Sequence, residues 1–293
     1  MATSLVEASW TGTDVSIAEI ERQLARLRFE SSNEGAQPNL RTSVMTHIAW
    51  APPEWKEVAE ETLAGMAERH PSRTLLLVPR PDAPDGLDAE VSIRCFPISD
   101  RAVCGEVIEL ALRGNRASAP ASIVLPLLIS DLPVFLRWRG RPRWESTEFE
   151  QLIEIVDRLV VDSTEWSDLP DAYGRLAELF GRVTVSDIAW ERTERWRSLL
   201  ASLWPGVGEV REIRVHGTFA QGHLLAGWLR SRLGHEVKVE IEERERLEGI
   251  DLDGRPAPFP PGDPPNPSDV LSAQLDSFAR DRVYEEAVKA APS

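Results

Sequence analysis

The sequence predicts an α/β fold: mixed, mainly parallel sheets with helices on both faces, divided between two α/β domains. Three observations predict it. From about residue 41 onward, short β-prone runs alternate with segments of helical periodicity, and such alternation builds βαβ units whose strands lie parallel. The run at 74–78, Thr-Leu-Leu-Leu-Val, has no polar face, as expected of a strand covered on both sides. The chain has 293 residues, more than one average domain, and is 42% hydrophobic, enough to bury a sizeable core. The least disruptive division gives an N-terminal helical arm over 1–38, an α/β domain over 39–145, and a second over 146–293 that carries a proline-rich segment and a terminal helix.

The elements follow in order. Ser16-x-x-Glu19 is a capping box, in which each side chain satisfies a backbone N–H at the helix start. Ile17, Ile20, Leu24 and Leu27 then share one face. Residues 44–50 are β-prone, and Pro53 suits the first turn of a helix whose inner side carries Trp55, Val58, Ala59, Leu63 and Met66. After the strand at 74–78, residues 91–96 and 103–112 alternate and form an antiparallel pair turning at 97–101. A short helix at 123–129 and a strand at 134–138 come next. A helix at 149–156, a strand at 158–161 and a helix at 172–180 continue the pattern. Ser186 caps a longer helix through Trp204. A strand at 213–216, a helix at 224–233 closed by Gly234 and a strand at 237–241 complete the alternation. Seven prolines between Gly254 and Ser268 make an extended, semi-rigid segment. A last helix follows, with Leu271, Leu275 and Phe278 on one face.

Charge excludes several partners. Acidic residues outnumber basic ones 48 to 33, for a net charge of −15. A nucleic-acid binder needs cations to displace counterions from phosphates, and an anionic lipid surface needs them too; no basic stretch is present. The first residues lack the basic region and apolar core of a secretory signal. The longest greasy stretch, 123–136, is too short to span a bilayer and is interrupted by Pro126, Ser130, Asp131 and Pro133. A cytoplasmic location is the expectation. Two cysteines, Cys95 and Cys104, make no disulfide scaffold, and in that compartment they are expected as reduced thiols. A hairpin turning between Ser99 and Asp100 sets them opposite one another, close enough for a bond with small strain.

No catalytic constellation emerges. Gly217-Thr218-Phe219-Ala220-Gln221-Gly222-His223-Leu224 has the glycine spacing of a P-loop, but His223 and Leu224 stand where the lysine and the metal-binding hydroxyl belong. A glycine-rich turn before a helix is the simpler reading, with a weak anion site as the minor one. There is no dinucleotide fingerprint and no nucleophile elbow. The histidines, at 47, 70, 216, 223 and 235, are scattered and none pairs at a helical interval with another ligand. No cofactor, no metal and no enzymatic activity are expected. In an α/β fold, sites lie at the carboxyl ends of strands. Five stretches fall there: 50–53, 79–80, 137–140, 162–166 and 216–217. Asp162 with Glu165 could be an acid/base pair, although charged strand ends are ordinary. The tryptophans, ten in all, suit either core or interface. Arg137-Trp138-Arg139 is the best interface candidate, because arginines at alternate strand positions need acidic groups, a phosphate or a partner.

Several stretches, in order, resemble the OpcA family of glucose-6-phosphate dehydrogenase assembly proteins. They are Asn39-Leu40-Arg41-Thr42-Ser43-Val44-Met45-Thr46-His47-Ile48-Ala49-Trp50, Pro52-Pro53-Glu54-Trp55, His70-Pro71-Ser72-Arg73-Thr74, Cys104-Gly105-Glu106-Val107-Ile108-Glu109-Leu110 and Ser122-Ile123-Val124-Leu125-Pro126-Leu127-Leu128. Asp131-Leu132-Pro133-Val134-Phe135-Leu136-Arg137-Trp138-Arg139-Gly140 is the most distinctive, and Val161-Asp162-Ser163-Thr164-Glu165-Trp166 and Asp187-Ile188-Ala189-Trp190-Glu191-Arg192 follow. The resemblance implies a non-catalytic effector that binds glucose-6-phosphate dehydrogenase, the enzyme that opens the oxidative pentose phosphate pathway and makes NADPH, and supports its oligomerisation or activity. The expected contact residues are Trp50, Trp55, Arg73, Asp131, Arg137, Trp138, Arg139, Asp162, Trp166 and Trp190. Some relatives are controlled through C-terminal cysteines, but this chain has none after Cys104. The alternatives are a sugar-phosphate-binding sensor, or an enzyme with a site at the strand carboxyl ends.

Overall fold

The computed structural model describes residues 5–33, 39–40, 43–66, 72–98, 101–262, 267–276 and 279–292. The chain forms two compact units, Met1–Leu159 and Val160–Ser293. The first contains β1 (Leu5–Gly12), α1 (Ile17–Asn33), β2 (Asn39–Leu40), β3 (Thr46–Trp50), α2 (Lys56–Met66), β4 (Arg73–Arg80), β5 (Gly86–Ile98), β6 (Arg101–Arg113), α3 (Pro120–Val124), β7 (Val134–Trp138) and α4 (Thr147–Ile153). Its strands lie in the order β1-β5-β6-β4-β3-β7, with β2 beside β6. The centre is parallel: β6 to β4, β4 to β3, and β3 to β7. The β1-β5-β6 side is antiparallel.

Residues 75–78 of β4 are buried on both faces, as their unbroken apolar run requires. The hairpin has the expected register, with Cys95 directly opposite Cys104. Cys104 is disulfide-bonded, which corrects the expectation of free thiols. In α1 the Ser16 hydroxyl accepts from the Glu19 amide at 3.2 Å, and Ile20, Leu24 and Leu27 are buried. The N-terminal stretch is more than a helical arm, because β1 runs antiparallel along β5 and covers its outer edge. The inner face of α2 runs through Ala59 and Leu63, which are buried, while Val58 is 43% exposed. Val58 lies one residue off the three-to-four spacing of that stripe.

The second unit begins within β8 (Arg158–Val161). It continues through α5 (Asp171–Glu178), β9 (Thr184–Asp187), α6 (Ile188–Glu191), α7 (Glu194–Ser202), β10 (Glu212–Gly217), α8 (Phe219–Leu233), β11 (Lys238–Glu243), β12 (Gly249–Leu252), β13 (Arg255–Pro256), α9 (Pro267–Asp276) and α10 (Arg282–Ala290). β9 lies beside β8. A second sheet has the order β11-β10-β12-β13, parallel between β10 and β11 and antiparallel elsewhere.

Three departures from the sequence reading have local causes. The helix expected from Ser186 to Trp204 is a strand followed by two helices. Asp187, not Ser186, caps α6 by accepting from the Ala189 amide. Thr193 then turns its hydroxyl back onto the Trp190 carbonyl at 2.7 Å, and the chain restarts as α7. The segment after Gly249 is first a tight hairpin, β12–β13, turning at Asp253 and Gly254, both at positive φ. The C-terminal region also holds a second helix, α10, capped by Asp281. α10 packs on α8 at Gly227, where an added Cβ would lie 2.1 Å from the Ala287 carbonyl oxygen, so only glycine allows that approach. No helix among the described residues is long and apolar enough to cross a membrane.

Candidate functional site

In the first unit the expected contact residues separate into two places. At the carboxyl ends of β3 and β7, Trp50 and Trp138 are register partners. Partners in register on parallel strands point to the same face, and the two indoles stack with centroids 4.9 Å apart and planes 14° apart. Phe149 of α4 meets Trp138 edge-on at 5.0 Å. Trp138 is 2% exposed, so this stack is packing. The arginines at alternate positions lie on the other face and are buried as well. Arg137 donates to the Trp138 carbonyl. The Arg139 guanidinium lies over the Trp55 ring, 4.7 Å from its centroid, while its amide donates to the Trp50 carbonyl at 2.9 Å. Gly140, at φ +72°, passes so close that a Cβ would sit 3.0 Å from Trp55 Nε1. Trp55 is therefore boxed between a cation and a glycine and remains half-buried.

Arg73 and Asp131 belong elsewhere, at the amino ends of the strands. Arg73 donates from Nε to Glu106 at 2.8 Å and from Nη1 to the Leu127 carbonyl at 2.7 Å. The same carboxylate receives Arg28 of α1 at 2.5 and 2.8 Å. Burial alone would raise the Glu106 carboxyl, but Arg28 and Arg73 outweigh it and hold it below the usual range. Asp131 is exposed, at φ +65°, in the turn that leads into β7.

In the second unit, Asp162 follows β8 and shapes its own turn. It accepts from the Thr164 hydroxyl at 2.6 Å and amide at 3.2 Å, and from Arg192 at 3.1 Å. Its neighbour is not among the residues that the sequence marks for a site. Asp187, at the end of β9, accepts from the Ser163 hydroxyl at 2.6 Å and amide at 3.0 Å, from the Ala189 amide at 2.9 Å, and from Tyr284 at 3.4 Å. The Tyr173 hydroxyl lies 3.0 Å from that of Ser163. Of the chain's two tyrosines, Tyr284 thus meets the carboxylate directly and Tyr173 is joined to it through Ser163, and both are fully buried. Burial first, and the charge of Asp162 second, push the Asp187 carboxyl up to about 6 against its hydrogen bonds. Burial and Asp187 raise both tyrosines well above their ordinary value.

Ser163 and Asp187 are 0% and 1% exposed, so this hydroxyl–carboxylate pair is sealed from any substrate and ties α5, α10 and two strand ends together. Trp166 tilts against Tyr173 at 6.1 Å. Trp190 donates to Asp281 at 2.8 Å, carries the Arg197 guanidinium at 3.6 Å from its centroid, and faces Tyr284 at 5.7 Å. The available signal for Asp187 was an acidic residue at a strand-to-helix junction, hidden because its strand is short and polar.

The P-loop-like stretch is a helix start. Thr218 and Gln221 form a reciprocal capping box, which spends the only hydroxyl there. Gly222 exists for packing, since a Cβ would lie 2.6 Å from Ile241. Burial, then the charge of Arg230, lowers the pKa of His223. Among the described residues no group of three or more His, Cys, Asp or Glu side chains is arranged to hold a metal ion.

Two family models match the chain in sequence order, and both describe a glucose-6-phosphate dehydrogenase subunit. The model of its N-terminal domain matches residues 64–178. The model of its C-terminal domain matches residues 183–258. Three curated proteins, each provisionally named OxPP cycle protein OpcA, are similar. The protein from Synechococcus elongatus is 29% identical over 229 residues, covering 68% of this chain and 50% of that protein. The one from Synechocystis sp. is 26% identical over 182 residues, 57% of this chain and 38% of that protein. The one from Nostoc punctiforme is 30% identical over 182 residues, 57% and 39%. The chain therefore spans half or less of the length of these relatives. No solved structure matches it.

Proposed function

The chain belongs to the OpcA family of glucose-6-phosphate dehydrogenase assembly proteins, and from that premise we propose that it is a non-catalytic effector that binds glucose-6-phosphate dehydrogenase and supports its oligomerisation or activity. The observation that carries this reading is the pair of consecutive family matches over 64–178 and 183–258. Several separated stretches in order are more specific than any single motif. The strand ends support it by how their polar groups are used. Asp162, the acid an enzyme would need, is 4% exposed and serves Thr164 and Arg192. The rival reading, a sugar-phosphate sensor or enzyme, would need Asp162 and Glu165 to open together onto a pocket.

Of the expected contact residues, we assign the partner's first contact to Trp55, which is half-buried near the carboxyl end of β7 and carries the Arg139 guanidinium over its ring. Asp131 offers a second, separate contact on the amino side. The test mixes the purified protein with its cognate dehydrogenase and measures mass and activity together. A complex and a faster rate at low glucose-6-phosphate are expected. Neither a complex nor a rate change with the cognate enzyme would overturn the proposal.

A further inference from the structure

β11 (Lys238–Glu243) ends one side of the second unit's sheet, and among the described residues no strand lies beyond it. Its parallel pairing with β10 fixes which backbone groups are used. The Lys238 amide donates to the Arg211 carbonyl at 2.9 Å and the Arg244 amide to the Gly217 carbonyl at 3.0 Å. The even-numbered residues therefore turn their amides and carbonyls toward β10, and those of Val239, Ile241 and Glu243 point away from the sheet. The side chains leave this edge open too. Ile213 and Val215 of β10 are 0% exposed, whereas their register partners Val239 and Ile241, on the same apolar face, stay half-buried.

Natural edges are blunted by charge, and here the charge has a pattern. Lys238, Glu240 and Glu242 stand exposed on the other face of β11. Arg214 holds Glu240 at 2.7 Å, and His216 Nδ1 lies 2.7 Å from Glu242. Lys238 has no acidic partner among the described residues. Set a second copy of β11 antiparallel along this edge, with Glu240 opposite itself across a two-fold axis. Val239 then faces Ile241 of the second copy, and the two exchange amide–carbonyl bonds, twice over, through the groups that point outward. Lys238 stands opposite Glu242, also twice. The like pair, Glu240 against Glu240, carries an Arg214 on each side. A slip of one residue turns the apolar residues to the wrong face. Slips of two residues set Glu242 twice against Glu240 or twice against Glu236. The helices allow the approach. α8 packs over β10 and β11, so its two copies lie on one face about 10 Å apart, two strand spacings, which is ordinary helix packing.

We propose that β11 is a self-complementary dimerisation edge, at which two copies of this chain join their four-stranded sheets into one, antiparallel and centred on Glu240. The pairing does not rest on the proposed effector role. If that role holds, a two-fold pair presents each enzyme contact twice, as bridging two enzyme subunits requires.

The test needs only the purified chain, without the dehydrogenase. Sedimentation equilibrium from micromolar to near-millimolar concentration should show a mass rising from 32.7 kDa toward twice that value. Lys238→Glu sets acid against acid twice and should raise the dissociation constant at least about tenfold. Adding Glu242→Lys to it should restore association. Cross-linking reads the register. The described residues include no free cysteine, so the unaltered chain is the blank. Glu240→Cys sets a thiol opposite its own copy, with Cβ atoms about 4.5–5.5 Å apart, and mild oxidant should link it into a dimer. Lys238→Cys, whose two copies are offset along the strands, should stay single. A mass of one chain at every concentration overturns the proposal, and so does an unchanged constant for a folded Lys238→Glu. A dimer in which Glu240→Cys links no faster than Lys238→Cys uses another surface and overturns it as well. Far-UV ellipticity shows whether the charge variants fold, and the cysteine variants decide if they do not.

Discussion

The hydroxyl of Ser163 donates to the carboxylate of Asp187 at 2.6 Å, joining the ends of two neighbouring strands inside the second unit. That contact sits in a shell with Tyr173, Tyr284, Asp162 and the Ala189 amide. Burial first, and the charge of Asp162 second, raise the Asp187 carboxyl from an ordinary 3.8 to about 6 against the hydrogen bonds from Ser163 and Ala189.

The sign of the resulting pH dependence follows from linkage. Between pH 4 and 6, roughly, the unfolded chain has released the Asp187 proton while the folded chain still holds it. Folding then becomes less favourable as pH rises through that window, by about 3 kcal/mol in all for a shift of roughly two units at a sealed site. Asp187→Asn keeps an acceptor for the Ser163 and Ala189 amides and does not titrate. Urea unfolding of both proteins at pH 4.5 and 7 should show the variant gaining on the parent by a few kcal/mol as pH rises. A constant gap between them would show that Asp187 ionises normally.

Glu106 should behave in the opposite sense. Arg28 and Arg73 hold its carboxyl down, so its contribution is present above the unfolded pKa of about 4.5 and is lost as pH falls through the lower folded value. Glu106→Gln leaves two arginines against a neutral amide in a largely buried place, which costs about 3 kcal/mol near neutrality. The deficit should shrink in acid. An equal deficit at pH 3 and pH 7 would mean that the ion pairs add nothing and only the hydrogen bonds count.

Trp138, at the carboxyl end of β7, and Trp55, packed on Arg139 just beyond it, should respond differently to substitution. Trp138→Ala removes the partner of Trp50 and the surface on which Phe149 rests, a loss of about 3–5 kcal/mol of stability. Trp55 is half-buried and gripped from one side by Arg139. Trp55→Ala should leave a folded protein whose complex with glucose-6-phosphate dehydrogenase is weaker by about 2 kcal/mol or more, as at an interface hot spot. Thermal melting and affinity measured on both variants separate the roles. A Trp55→Ala protein with undiminished affinity would move the interface away from this strand end.

The central strands are legible in the sequence because runs such as Leu75–Leu77 are apolar without interruption, and the hairpin because alternation fixes its register down to Cys95 opposite Cys104. The Asp187 shell is not, because it is assembled from residues distant in sequence: Ser163, Asp187 and Tyr284 come from three elements. Periodicity reports which face of one element is apolar and carries no information about which polar groups meet across elements. The strand at Thr184–Asp187 is hidden for a related reason, since its buried residues include Ser186 and Asp187, which an apolar pattern cannot detect. Arg137 and Arg139 stand out in the sequence as needing company, yet nothing local says that Trp55 and the Trp138 carbonyl supply part of it.

The final prediction concerns Cys104, which is disulfide-bonded in a chain whose one other cysteine stands directly opposite it in the hairpin. Closing the short loop from 95 to 104 restricts the unfolded chain and stabilises the folded one by about 2–3 kcal/mol in the loop-entropy model. Protein purified without reductant and unfolded in guanidinium should therefore show no thiol reactive toward Ellman's reagent. Prior treatment with a reductant should release two thiols and lower the urea midpoint. Cys104→Ala should reproduce the lower midpoint without reductant and be insensitive to it. In a reducing compartment the bond would be open, and the hairpin would then rest on its antiparallel ladder alone, which pairs Gly86–Ile98 with Arg101–Arg113 along its length. Activation of the dehydrogenase should accordingly be the same for the oxidised and reduced forms. Two reactive thiols in the untreated protein would remove the bond from the native state, and a loss of activation restored by dithiol would make it a switch.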